Sequence, residues 1–282
     1  MKTYSPRYYQ RNAINRAVEA IARGEKRLLL VLATGTGKTY IAFQTVYRLL
    51  QSGLVKKVLY LADRNILVDQ SIQQDFAPLD KVIHKVSFAK DDPTTVTSYQ
   101  VFFSLYQQLS DREDDDTEEE TDDTVTRLSK LFRSDFFDLI IVDECHRGSA
   151  KKDSNWRKIL EYFSGAAQIG MTATPKETKY VSNIDYFGEP LYTYSLKEGI
   201  EDGFLAPFKV INVKTNIGDG WRPYAGQRDI FGNLIEDRIY NNSDYDYNII
   251  LEDRINEVAR EITAYLKYTG RMQKTIIRRT DP

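Results

Sequence analysis

Apolar residues follow two rhythms over the first 180 positions. Short strand-like runs, several of them nearly continuous in Leu, Ile and Val, at 27–32, 57–61, 82–87, 94–97, 137–143 and 168–172, predict strands. Several are so continuously apolar that both faces must be covered. Stretches with apolar positions three and four apart, at 7–23, 37–52, 65–75, 99–109, 125–132 and 155–163, predict helices between them. Short buried strands alternating with amphipathic helices predict an α/β fold, helices wound around a parallel sheet. After about residue 180 the rhythm stops. Positions 208–213 alternate like a strand, 214–245 are rich in Gly, Asn, Asp and Tyr and read as a hairpin or extended crossing, 247–268 return to helical spacing, and 274–277 resemble a buried strand. The expected organisation is therefore a first lobe over 1–185, an irregular connecting segment over 186–245, and the start of a second, truncated lobe over 246–282.

Composition narrows the classes. The 282 residues suffice for one large domain or two ordinary ones. No apolar run reaches the roughly 18–20 residues that span a bilayer, and the start, MKTYSPRYYQ, lacks the apolar core of a secretory signal, so a soluble cytoplasmic protein without membrane contact is expected. A single cysteine, Cys145, and two histidines, His84 and His146, exclude a disulfide scaffold and a zinc module. Charge is uneven. Residues 111–123, DREDDDTEEETDD, carry −9 of a net −2, leaving a body of +7 that is compatible with contacting a polyanion. The acidic run reads as a solvated surface insertion; a DNA-mimicking gate is the alternative.

Two stretches carry chemistry. Residues 28–39 read LLLVLATGTGKT, a buried strand feeding a glycine-rich turn and then a helix. Glycines let successive backbone N–H groups turn inward around phosphate oxygens, and the following helix start adds partial positive charge. Thr34, Gly35, Thr36 and Gly37 would form that cradle, Lys38 would reach the β- and γ-phosphates, and the Thr39 hydroxyl would bind Mg²⁺. The strict phosphate-loop pattern asks for Gly at position 32, which is Leu; the extra Gly35 compensates. Residues 137–144, FDLIIVDE, end a strand in two carboxylates followed by Cys145 and His146. Asp143 would hold the Mg²⁺ shell and Glu144 would orient and deprotonate the attacking water. His146 reads as a sensor coupling nucleotide to the next motif, or as a polar contact beside a helix; Cys145 reads as structural.

With ATGTGKT, DECH and Met171-Thr172-Ala173-Thr174-Pro175 in order, the chain resembles the first RecA-like lobe of superfamily 2 DNA helicases and translocases. Arg7-Tyr8-Tyr9-Gln10, Ala62-Asp63-Arg64, Ser195-Leu196-Lys197 and the run from Glu201 to Pro207 are similar to the motor subunit of type I restriction enzymes. The resemblance implies ATP and Mg²⁺ as cofactors. It implies that Gln10, with Arg7 or Tyr8, seats the adenine, although the same aromatics could simply pack a helix start on the core. It implies DNA-backbone contacts at Asp63, Arg64 and Asn65 and at Thr97, Ser98 and Gln100, helix capping being the alternative for the last group. Thr172 and Thr174 would couple phosphate state to lobe movement. The implied partners are double-stranded DNA, a second RecA-like lobe, and specificity and methyltransferase subunits. Nothing precedes Met1 where the family carries its nuclease, and the second lobe with its arginine finger is missing, so no DNA cleavage and weak ATP turnover are expected. A type III restriction or stand-alone helicase lobe, and a nucleotide-dependent interaction module without turnover, are the competing readings; a P-loop kinase would lack the tandem DECH and TAT motifs.

Overall fold

A computed structural model describes residues 5–62, 65–87, 90–105, 124–145, 155–173, 177–178, 181–211, 220–241, 251–272 and 274–276. The acidic run, Asp63, Arg64, His146 and Thr174 lie outside them. The chain divides into two compact units, Met1–Pro207 and Phe208–Pro282.

The first unit begins with α1 (Tyr8–Ala22), β1 (Arg27–Leu32), α2 (Lys38–Gln51), β2 (Val58–Ala62) and α3 (Asn65–Gln73). A 3₁₀ turn (Ala77–Val82) leads to β3 (Ile83–Lys85), α4 (Pro93–Val96) and β4 (Val101–Leu105). Then come α5 (Thr124–Leu131), β5 (Leu139–Val142), α6 (Asn155–Tyr162) and β6 (Ala167–Thr172). The unit closes with a small ribbon, β7 (Glu177–Thr178) and β8 (Val181–Ser182), followed by α7 (Asn183–Phe187), β9 (Tyr192–Tyr194) and α8 (Leu196–Glu201). Seven strands form one sheet in the order β3-β4-β2-β5-β6-β1-β9. Every pairing in it is parallel. This is a RecA-like lobe.

Strand alternation explains the three layers. Leu28, Leu30 and Leu32 of β1 join Val58 and Tyr60 of β2 in a cluster with Tyr9, Ile14, Ile41, Val46 and Phe76. Leu29 and Val31, with Leu59, Leu61, Ile140 and Val142, face the other way against Leu128, Ile159, Leu160 and Phe163. Both faces are thus buried, as the continuous apolar runs require. At roughly 25 cal/mol per Å² of apolar surface, such double burial is the dominant stabilising term of the lobe.

Two expected elements exchange identity. Of residues 94–97, expected as a strand, the first three belong to α4 and Thr97 is its C-cap: the Asp92 side chain accepts from the Thr94 N–H as N-cap, and Pro93 fits the first helical position. Residues 99–109, expected as a helix, contain β4, buried at all five positions. The short strand β9 has no counterpart among the expected elements; it pairs with β1 at Leu30↔Tyr192 and lies beyond the expected boundary at 185.

In the second unit, antiparallel bridges Trp221↔Tyr240 and Arg228↔Leu234 close a hairpin-like segment, and Ile235, Tyr240 and Leu251 form a small cluster beside Trp221. α9 (Glu252–Thr269) follows, with no buried residue. Residues 208–211 and 274–276 have no regular structure instead of the expected strands; Phe208, Val210 and Ile276 are exposed, so no sheet neighbour rewards extension there.

Candidate nucleotide site

β1 delivers the chain to a turn at the C-terminal edge of the sheet, where parallel α/β folds place their ligands. Gly35 and Gly37 take φ of +85° and +82°, a region open to glycine at little cost. Gly37 is also the N-cap of α2, and a Cβ there would sit 2.7 Å from Gln10 Nε2. Thr36 is fully buried, its hydroxyl donating to Ala33 O at 2.6 Å. Thr34 is exposed on the rim of the turn. Lys38, almost buried, donates to Leu32 O at 3.4 Å and pairs with Glu144 at 3.2 Å.

The two carboxylates stand where β5 ends. Asp143 is buried, accepts the Tyr60 hydroxyl at 2.9 Å, and also receives the Glu144 N–H on its other oxygen at 3.0 Å. Burial pushes the Asp143 carboxyl above the usual range, with the hydrogen bond from Tyr60 working against it. Tyr60 also bonds the Thr39 side chain, so the hydroxyl of Thr39 and the carboxylate of Asp143 converge on one phenol. Two hard oxygen donors meeting beside a phosphate cradle suit Mg²⁺, which takes few protein ligands and keeps several waters. Glu144 has φ of +51°, the one positive value among described non-glycine residues. Strain of this kind gathers at functional positions. Cys145 is buried, its N–H donates to Met171 O at 3.1 Å, and burial drives its thiol far up, which fits the structural reading.

The start of α1 lies against the turn. Gln10 Nε2 and the Tyr9 hydroxyl both donate to Thr36 O, at 2.9 and 3.0 Å, while Gln10 Oε1 accepts the Arg7 N–H at 2.9 Å. A cavity of 880 Å³ opens there, lined by Arg7, Gln10, Gly37, Tyr40, Gln44 and Asp75 among others.

The structure thus gathers Arg7, Gln10, Thr34 to Thr39, Asp143 and Glu144. Thr172 belongs nearby, buried at the end of β6 in register with Val31. Asn65 opens α3, just past the C-terminal end of β2. Thr97, Ser98 and Gln100 are not brought to this edge. They precede β4, and their neighbours confirm it: Lys57, before β2, donates to Thr97 O at 2.5 Å, and Val58 N donates to Gln100 O at 2.8 Å. With β2 and β4 in register over five residues, these three sit about 16 Å away along the strands, at the opposite edge. Tyr60, which packs into the site, gives no signal in the sequence because its bond to Asp143 joins positions 83 apart, while Tyr9 and the run Glu201–Pro207 are marked there only by the family resemblance.

Residues 3–177 match the family described as "Type III restriction enzyme, res subunit". The endonuclease subunit of the Escherichia coli type I restriction enzyme EcoAI is 53% identical over 274 residues, 97% of this chain and 32% of that protein. The EcoKI endonuclease subunit of Escherichia coli K12 is 29% identical over 305 aligned positions, 96% of this chain and 24% of that protein. The chain therefore spans about a third or less of these relatives' length. Among solved structures, a fragment described as an HsdR subunit of a type I restriction enzyme from Vibrio vulnificus YJ016 aligns with a TM-score of 0.64 at 34% identity, over 97% of this chain and 42% of that one. The restriction-modification enzyme LlaBIII, with a TM-score of 0.53 at 20% identity over 74% of this chain and 16% of that one, shares the fold.

Proposed function

The chain belongs to the helicase-like family of restriction-enzyme res subunits, and from that premise we propose that it is the ATP-hydrolysing DNA-translocase lobe of a restriction enzyme, of the type I kind. What supports the reading is the convergence of Lys38, Thr39, Asp143 and Glu144 at neighbouring strand ends. An incoming γ-phosphate would take Lys38 from Glu144, leaving that carboxylate to accept a proton from the attacking water. Thr39 and Asp143 would hold Mg²⁺, which neutralises phosphate charge when bound. Arg7 and Gln10 would read the base. Thr172 and Thr174 would pass phosphate state onward, and His146 would join them as sensor.

Duplex DNA would meet Asp63, Arg64 and Asn65, which follow β2 in the sequence, through its phosphates. A second RecA-like lobe, begun by the residues from 246 onward, would supply the arginine needed for fast turnover. Specificity and methyltransferase subunits complete the proposed assembly.

The test is ATP turnover with Mg²⁺, with and without duplex DNA, beside nucleotide titration. Wild type should bind ATP and hydrolyse it. Lys38→Ala should lose binding, and Glu144→Gln should keep binding while turnover drops about 100-fold or more. Unchanged turnover in Glu144→Gln would refute the assigned role, and ATP binding without turnover in every form would favour an interaction module.

A further inference from the structure

The base-reading proposal leaves the run Glu201–Pro207 without a task, and its geometry supplies one. Phe204 N and Leu205 N both donate to Gly199 O, at 2.9 and 2.8 Å, folding the chain tightly back over the end of α8. Leu205 then fills the space above Gly199, where a Cβ would meet it at 2.6 Å, and reaches Gly35 of the phosphate turn, where a Cβ would meet it at 3.3 Å.

Phe204 carries the Arg7 guanidinium 4.7 Å from its ring centre and meets the Tyr9 ring edge-on at 5.3 Å. Tyr9 in turn stacks flat on Tyr194, 4.0 Å between centres with 6° between planes. The hydroxyls of Tyr194, at 2.7 Å, and of Tyr8 both donate to one oxygen of Asp202. Those bonds hold the Asp202 carboxyl below its usual range. Arg7 and Gln10 line the cavity and Phe204 does not, so the ring supports Arg7 without forming the cavity wall.

We propose that Phe204 and Asp202 are positioning residues for base recognition: they brace Arg7 and the Tyr9–Gln10 pair, and thereby set the preference for adenine over other bases. The inference rests on the assignment of Arg7 and Gln10 to the base. Phosphate contacts are common to all nucleoside triphosphates, so loosening the brace weakens the nucleotide whose base is read and spares the rest.

The experiment titrates ATP, GTP and CTP against wild type, Phe204→Ala, Phe204→Trp, Asp202→Ala and Lys38→Ala. Phe204→Ala and Asp202→Ala should each lose roughly tenfold in ATP affinity, the scale of one cation–aromatic or charge-assisted contact, while GTP and CTP change little. Phe204→Trp should restore the preference. Phe204 is partly exposed, so a folded variant is expected, and thermal melts monitor it. A folded Phe204→Ala protein with an unchanged ATP-to-GTP ratio would overturn the brace. Equal loss for all three nucleotides would overturn it too, as the mark of a merely structural role. A wild type that binds ATP, GTP and CTP equally would overturn the base assignment and the brace with it. Lys38→Ala binding as wild type would instead strike the phosphate-loop reading.

Discussion

An ionised Asp143 is costly to the fold near neutral pH, and the cost can be read by titration. Because burial raises its pKa, the native protein holds this proton more tightly than the unfolded chain does. Stability contributed by the group therefore falls as pH climbs from the ordinary carboxylate range through the raised value. Asp143→Asn, which keeps the shape and removes the charge, should melt at higher temperature than wild type near neutral pH, with the difference closing toward acid. Turnover should vanish in the same variant. Scanning calorimetry across pH, beside an ATPase assay, checks both, and a variant that melts lower at neutral pH would contradict the assignment. At this scale, most of the candidate site is legible because it is contiguous: 28–39 and 137–144 each pair an apolar strand with the polar residues that end it. Tyr60 is not, since its bond to Asp143 joins positions 83 apart and a tyrosine in an apolar strand looks like core.

Among elements, the legible ones are those with a long period or a long apolar run. α1, α2, β1, β2, β5 and β6 lie where the pattern put them. The exchange at 93–105 shows the limit. Val101-Phe102-Phe103-Ser104-Leu105 is too short for period to separate helix from strand, and pairing with β2 on one side and β3 on the other decides it. β9 has three residues and exists because β1 offers it a partner. Close packing makes one element testable. Gly170 in β6 lies against Phe187 of α7, and a Cβ there would come within 2.7 Å of the ring. Gly170→Ala should cost about 2 kcal/mol and lower the melting temperature by roughly 5 °C, with Phe187→Leu restoring part of the loss. A neutral Gly170→Ala in thermal melts would mean that α7 shifts freely on the sheet.

For the whole molecule, the uneven charge matters more than the net. A body of +7 outside one acidic run would give the proposed DNA-contacting lobe a field that salt should screen. Duplex affinity, followed by fluorescence anisotropy, is expected to fall steeply and linearly on a log–log plot against salt; a flat line would rule out backbone contact.

The order of strands has a further consequence, for a chain made from its N-terminus. β1 finds both its neighbours late, in β6 and β9. β2, β3 and β4 can assemble among themselves once residue 105 has emerged, whereas β1, finished at residue 32, waits until synthesis passes 167. At roughly 5–20 residues per second that is on the order of ten seconds during which Leu28-Leu29-Leu30-Val31-Leu32 has no strand to pair with on the ribosome. The segment that later presents the glycine-rich turn thus stays without a strand partner while the next four strands are made.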